Sequence, residues 1–267
     1  MVDSALHWIT EYDFDGFRHD ATKHIPNNFW RTLNKKVKIV SQEKNKYIYQ
    51  IGETYGTHDL INSYIGSGLL DAQFDFTMYD VALPVFATQE ESMTRLGEAL
   101  EASLSTYGYH HLMGNITGNQ DKPRFMGYAD GTLNFNTPRQ EYKRRGWKDS
   151  ITVQDSIAYK KMAMFNAFNM TIPGIPIIYY GDEIGMTGAG DPDNRRMMRF
   201  ENLSQHEKQL QQKIAQLIKY RNTHMAMLYG DFTIVENTET RLVYKRKYFT
   251  EGITVELDKS NWTVTFK

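Results

Sequence analysis

Short apolar segments alternate with helical ones through most of this chain, and that alternation confines it to a parallel α/β fold. Ser4 to about Tyr12 sets Leu6, Trp8 and Ile9 at near-helical spacing behind a serine cap and runs into an extended segment from Phe14 to Asp20. Asn27 or Asn28 caps a helix through Phe29, Trp30 and Leu33, and Lys46 to Gly52 alternates as a second strand ending at Glu53. A third strand is expected over about Leu70 to Phe76, followed by helices over Val81 to Ala87 and Glu91 to Leu104, then a fourth strand from about His111 to Ile116. A helix from Ile157 to Asn169 leads into Pro173 to Gly181, whose apolar run has the composition of a buried parallel strand.

Beyond a charged, glycine-rich loop, Glu207 to Arg221 is amphipathic, with Leu210, Ile214, Leu217 and Ile218 on one stripe. From about Leu228 the period becomes two. Asp231 to Val235, Arg241 to Lys247, Ile253 to Leu257 and Trp262 to Phe266 read as antiparallel strands of a small terminal β-domain. The basic run Lys245-Arg246-Lys247 is read as exposed or edge-strand charge that discourages aggregation, rather than as a ligand patch.

Composition narrows the partners. With 31 basic and 32 acidic residues and a formal net charge of -1, no overall field draws the 267-residue chain to nucleic acid or an anionic membrane. Aromatic residues make up 13%, which favours a neutral partner with flat apolar faces such as a sugar. The absence of cysteine removes disulfides, thiolate metal sites and a cysteine nucleophile. No stretch approaches about 18 consecutive apolar residues. The opening MVDSALHWITEYDF lacks the basic start and apolar run of a signal peptide.

Candidate chemistry gathers in carboxylates. Arg18 and Asp20 stand two apart on an extended segment, so they share a face, and the arginine favours an ionised aspartate of the kind that attacks a sugar carbon. A solvated surface pair is the alternative. Asp20, Glu53 and Asp121 each fall near the carboxyl end of an expected strand, the mouth of a (β/α) barrel. Glycosidic cleavage needs two carboxyl groups with different pKa values, and a third can hold sugar hydroxyls. His110 and His111 point to opposite faces of a strand and are read as structural rather than as a metal pair. Asp182 and Glu183 sit in a turn where capping and ion pairing compete with catalysis, and most of the 13 methionines are assigned to the core.

These blocks resemble the α-amylase family of glycoside hydrolases, family 13. DGFRHDATKH is similar to the nucleophile block, IGET to the acid/base block and GNQD to the block of the transition-state-stabilising aspartate. LDAQFDFTMYDVALP, PGIPIIYYGDEIG and GDPDNRRMM follow in the family's order, the last as in neopullulanase-like and oligoglucosidase-like members.

The resemblance implies strands four to eight of a (β/α)8 TIM barrel over 1–227, with the terminal β-domain over 228–267. It implies Asp20 as nucleophile, Glu53 as acid/base and Asp121 as stabiliser of the distorted ring. Arg18, Lys23, His24, Asn119, Gln120 and Arg195 are implied substrate-binding positions, a structural ion pair with Asp191 or Asp193 being the alternative for Arg195. The implied activity is retaining hydrolysis of α-glucans such as starch, maltooligosaccharides and pullulan, with transglycosylation or non-catalytic glucan or partner binding as alternatives.

Two departures matter. Gln120 stands where the family has histidine, keeping a hydrogen-bond donor but no charge. The nucleophile block belongs to barrel strand four yet begins at Asp15, so the chain is expected to be the carboxyl-terminal part of a longer enzyme with little activity alone. Its exposed barrel edges would favour self-association. The loop domain that commonly helps form a calcium site would be missing too, so calcium is possible in a full-length enzyme but no metal ligand set is assigned here.

Overall fold

The computed structural model describes residues Met1–Lys267. Helix α1 (Val2–Tyr12) ends at a left-handed Asp13 and delivers the chain to β1 (Gly16–His19), and α2 (Asn27–Lys44) returns it to β2 (Tyr49–Gly52). The short α3 (His58–Asn62) precedes β3 (Ala72–Gln73), and α4 (Phe76–Ala87) and α5 (Met93–Tyr107) lead to β4 (Gly114–Ile116). Three helices, α6 (Phe125–Ala129), α7 (Arg139–Lys148) and α8 (Ile157–Thr171), then lead to β5 (Ile175–Ile177). Ile9 of α1 packs with Trp30, Leu33 and Val37 of α2, which explains why the first two helices lie together.

Strands β1, β2 and β3 pair in parallel, as do β4 and β5. A single parallel bridge between Phe74 and Gly114 joins the two groups into a five-strand arc. The expected alternation of strand and helix is present, but the strands are shorter than the apolar runs. At β3 the reason is local: Asp71 takes the Gln50 N–H on its carboxylate at 2.8 Å, and Asp75 ends the strand by accepting from Met78 N at the start of α4. Each lacking the N–H that a ladder would use, Pro173 lies two residues before β5 and Pro176 within it. Its three residues are half-buried rather than buried as expected, because no strand lies beyond β5. Helix α2 also differs: Pro26 occupies its N-cap position and no side chain caps it.

Helix α9 (Gln205–Thr223) and the short α10 (Met225–Tyr229) connect the arc to an antiparallel sheet of β6 (Asp231–Asn237), β7 (Arg241–Tyr248), β8 (Glu251–Asp258) and β9 (Thr263–Phe266), in that spatial order. The basic run therefore lies on an inner strand, correcting the edge-strand expectation. Lys245 and Lys247 face solvent, while Arg246 is buried and donates to the carbonyls of Gly230 and Thr171 at 3.2 and 2.9 Å. Alternation along β7 accounts for this, since every second side chain faces α8. Leu242, Tyr244, Val255 and Leu257 join Phe86, Phe165 and Phe168 of α4 and α8 in one continuous core. No helix is long and apolar enough to cross a membrane.

Candidate active site

The turns after β1 and β2 are zipped together. Glu53 N donates to His19 O and Thr22 N donates to Glu53 O, both at 2.8 Å, and the Thr22 hydroxyl also accepts from Glu53 N. Gly52 is required for this approach: a Cβ there would sit 2.3 Å from the Gln73 amide nitrogen and 2.5 Å from Thr22 Oγ1. Ala21 adopts a left-handed φ of 44°, a conformation that costs free energy in a non-glycine residue and that the interlocked turns hold in place. Asp20 and Glu53 thus emerge side by side at the carboxyl end of the arc.

One guanidinium joins them. Arg18 reaches Asp20 Oδ1 at 2.5 Å through Nη1 and Glu53 Oε2 at 2.8 Å through Nη2. Arg18 belongs to β1, but Asp20 lies in the turn beyond it, so their contact comes from the turn as well as from strand alternation. The two carboxyl groups differ in environment. Asp20 is exposed, and its pKa is lowered chiefly by hydrogen bonding to Arg18. Glu53 is largely covered, and burial raises its pKa against the opposing pull of Arg18 and the Ala21 N–H. Unequal carboxyl groups of this kind divide nucleophile from proton donor.

Asp121 lies five residues beyond β4 on an exposed loop. Asn119 Oδ1 accepts from Asp121 N at 2.9 Å, the Gln120 amide donates to Asp121 Oδ2 at 3.3 Å, and Arg195 Nη2 approaches Oδ1 at 3.3 Å. Arg195 also approaches Asp191 at 3.5 Å, while Asp193 is taken by Arg196. Asn119, Gln120 and Arg195 are therefore grouped around Asp121. A cleft of about 110 Å³ is lined by Arg18, Phe74, Asn119, Gln120 and Tyr179, and none of the three carboxylates lines it. A larger cavity of about 470 Å³ between α8, α9 and β9 contains none of these residues.

Lys23 donates to Tyr55 O at 2.8 Å, and His24 is exposed beside it. Tyr55 escaped the sequence reading although it stands two residues after Glu53. Its hydroxyl donates to Asp80 at 2.7 Å and is pushed up to about 12 by that carboxylate, and the Lys122 ammonium lies 4.4 Å from its ring centre. Lys23, Tyr55, Asp80 and Lys122 thereby link the segments that follow four strands. No group of three or more histidine, aspartate and glutamate side chains is arranged to hold a metal ion. Of the paired histidines, His110 meets Asp231, whereas His111 is largely buried and accepts from Met113 N. Glu183 accepts from Gly181 N within its own turn, and Asp182 is buried against Arg124.

An arc of parallel strands with carboxylates at its carboxyl end is the arrangement of part of a (β/α) barrel, the end at which that fold carries its active sites. The family described as "Alpha amylase, catalytic domain" matches residues 1–227, and the chain belongs to it. A cyclomaltodextrinase from Geobacillus thermopakistaniensis is 28% identical over 98% of this chain and 39% of its own length. A maltogenic alpha-amylase from Bacillus acidopullulyticus is 25% identical over 100% of this chain and 41% of its own. Among solved structures, the alpha-amylase of Geobacillus thermoleovorans complexed with acarbose superposes with a TM-score of 0.78 at 27% identity, covering 97% of this chain and 51% of that one. The chain thus spans about 40% of the length of the curated relatives.

Proposed function

We propose that this chain carries the reacting groups of a retaining α-glucan hydrolase whose activity requires further β/α units. The observation that carries the reading is Arg18 bridging an exposed Asp20, whose pKa it lowers, and a covered Glu53, whose pKa burial raises. In this reading Asp20 attacks the anomeric carbon as the bond to the leaving oxygen breaks, and Glu53 gives that oxygen its proton. Water then attacks the glycosyl-enzyme and yields its proton to Glu53, so two inversions give net retention. Asp121 holds the ring hydroxyls and gains most where the ring flattens. The substrate class is maltooligosaccharides and related α-glucans, in keeping with relatives named for maltodextrins. The need for further units is supported by the far edges of β1 and β5, which have no neighbouring strand.

Reducing-end release from starch, pullulan and maltooligosaccharides tests the reading, with proton NMR reporting the anomer first released. The isolated chain is expected to turn over little or none of these. Turnover that Asp20→Asn abolishes, with the α-anomer first released, would support the nucleophile and refute the need for further units. Turnover that survives both Asp20→Asn and Glu53→Gln would refute the assignment of the carboxylates.

A further inference from the structure

The loop that carries Asp121 is gripped from both ends by a closed circuit of buried side chains. At one end the Thr117 hydroxyl, just past β4, donates to Asp182 Oδ2 at 2.7 Å. The other oxygen of Asp182 pairs with Arg124 at 3.1 Å. Arg124 is buried with its guanidinium 4.3 and 4.8 Å from the ring centres of Tyr179 and Tyr180, and it donates to Tyr180 O at 2.7 Å and to Asn194 O at 3.0 Å. Asn194 closes the circuit, its side-chain amide donating to Gln120 O at 2.7 Å and Lys122 O at 2.9 Å on either side of Asp121.

Stability alone does not account for such a circuit. A buried ion pair is often replaceable by well-packed apolar residues at no loss, because desolvation offsets the attraction. What apolar residues cannot supply is direction: a planar guanidinium fixes several acceptors at set angles. Here those acceptors belong to the turn after β5 and the 188–196 loop, so the circuit sets where the Asp121 loop stands relative to its neighbours.

We propose that Arg124, Asp182 and Asn194 are positioning residues that hold Asp121 in its working orientation, an inference that rests on the reading of Asp121 as a site carboxylate. Amide hydrogen exchange on the full chain tests the grip without requiring turnover. Asn194→Ala and Thr117→Val should each speed exchange in the 118–123 segment about tenfold while leaving β7 and β8 unchanged. Unaltered exchange in that segment with both variants would overturn the proposal.

Calorimetric titration with acarbose asks whether the grip acts through Asp121. Asn194→Ala should weaken binding about tenfold in the unaltered chain and less than about twofold in an Asp121→Asn background. Equal losses in the two backgrounds would show that Asn194 acts independently of Asp121 and would refute the positioning role. If the unaltered chain binds no acarbose, its subsites need the further β/α units, and exchange in the 118–123 segment alone decides the proposal.

Discussion

Asp182 shows how one residue's environment makes the whole chain sensitive to pH. Its carboxyl group is buried against Arg124, Thr117 and the neighbouring Glu183, and burial outweighs the Arg124 attraction to lift its pKa from 3.8 to about 6. Between those values the folded chain holds a proton on Asp182 that the unfolded chain has released, so this group's contribution to stability falls as pH rises through that window. The difference is on the order of 3 kcal/mol. Asp182→Asn should remove that slope, and urea unfolding midpoints of both chains from pH 4 to 7 check it; an undiminished slope in the variant would assign the effect elsewhere. The sequence pointed to Asp20, Glu53 and Asp121 because chemistry-bearing residue types lie in short blocks next to strand ends. It left Asp182 open between capping, pairing and catalysis, since its partners Thr117 and Arg124 are 65 and 58 residues away and only the fold joins them.

Elements with a strong apolar stripe were legible, and those held by polar contacts were not. The stripe of Leu210 and Ile214 located α9, whose true start is set by Ser204 and Glu207, each capping the other. Helix α7 went unread because Tyr142 is its one buried side chain, and a polar helix gives no period to detect. It is anchored through its backbone instead, Tyr142 O accepting from Gly190 N at 3.1 Å. Strand β7 was located correctly, but its place in the sheet was not, because register and neighbours depend on contacts distant in sequence. That place gives Arg246 its role. Arg246→Ala should cost about 3 kcal/mol by leaving the Gly230 and Thr171 carbonyls without a donor and by removing the buried stem. Urea denaturation reads the loss; a change below about 0.5 kcal/mol would mean that water replaces the guanidinium.

At the scale of the molecule the arc is open, and the half-buried Ile175 and Ile177 of β5 stand at its edge. Unpaired edges recruit other strands. The weight-average mass by light scattering should therefore rise with concentration, and Ile177→Lys should suppress the rise; a monomeric mass throughout would show that side chains already screen the edge. The antiparallel sheet sends Asn237 to the Thr94 carbonyl at 3.1 Å and Arg246 to Thr171, and it shares its apolar interior with α4 and α8. Neither sheet keeps a complete interior when the other melts. The two should therefore melt together in calorimetry, and a sugar bound at the mouth should raise the melting temperature of the distant sheet along with that of the arc elements that share its core.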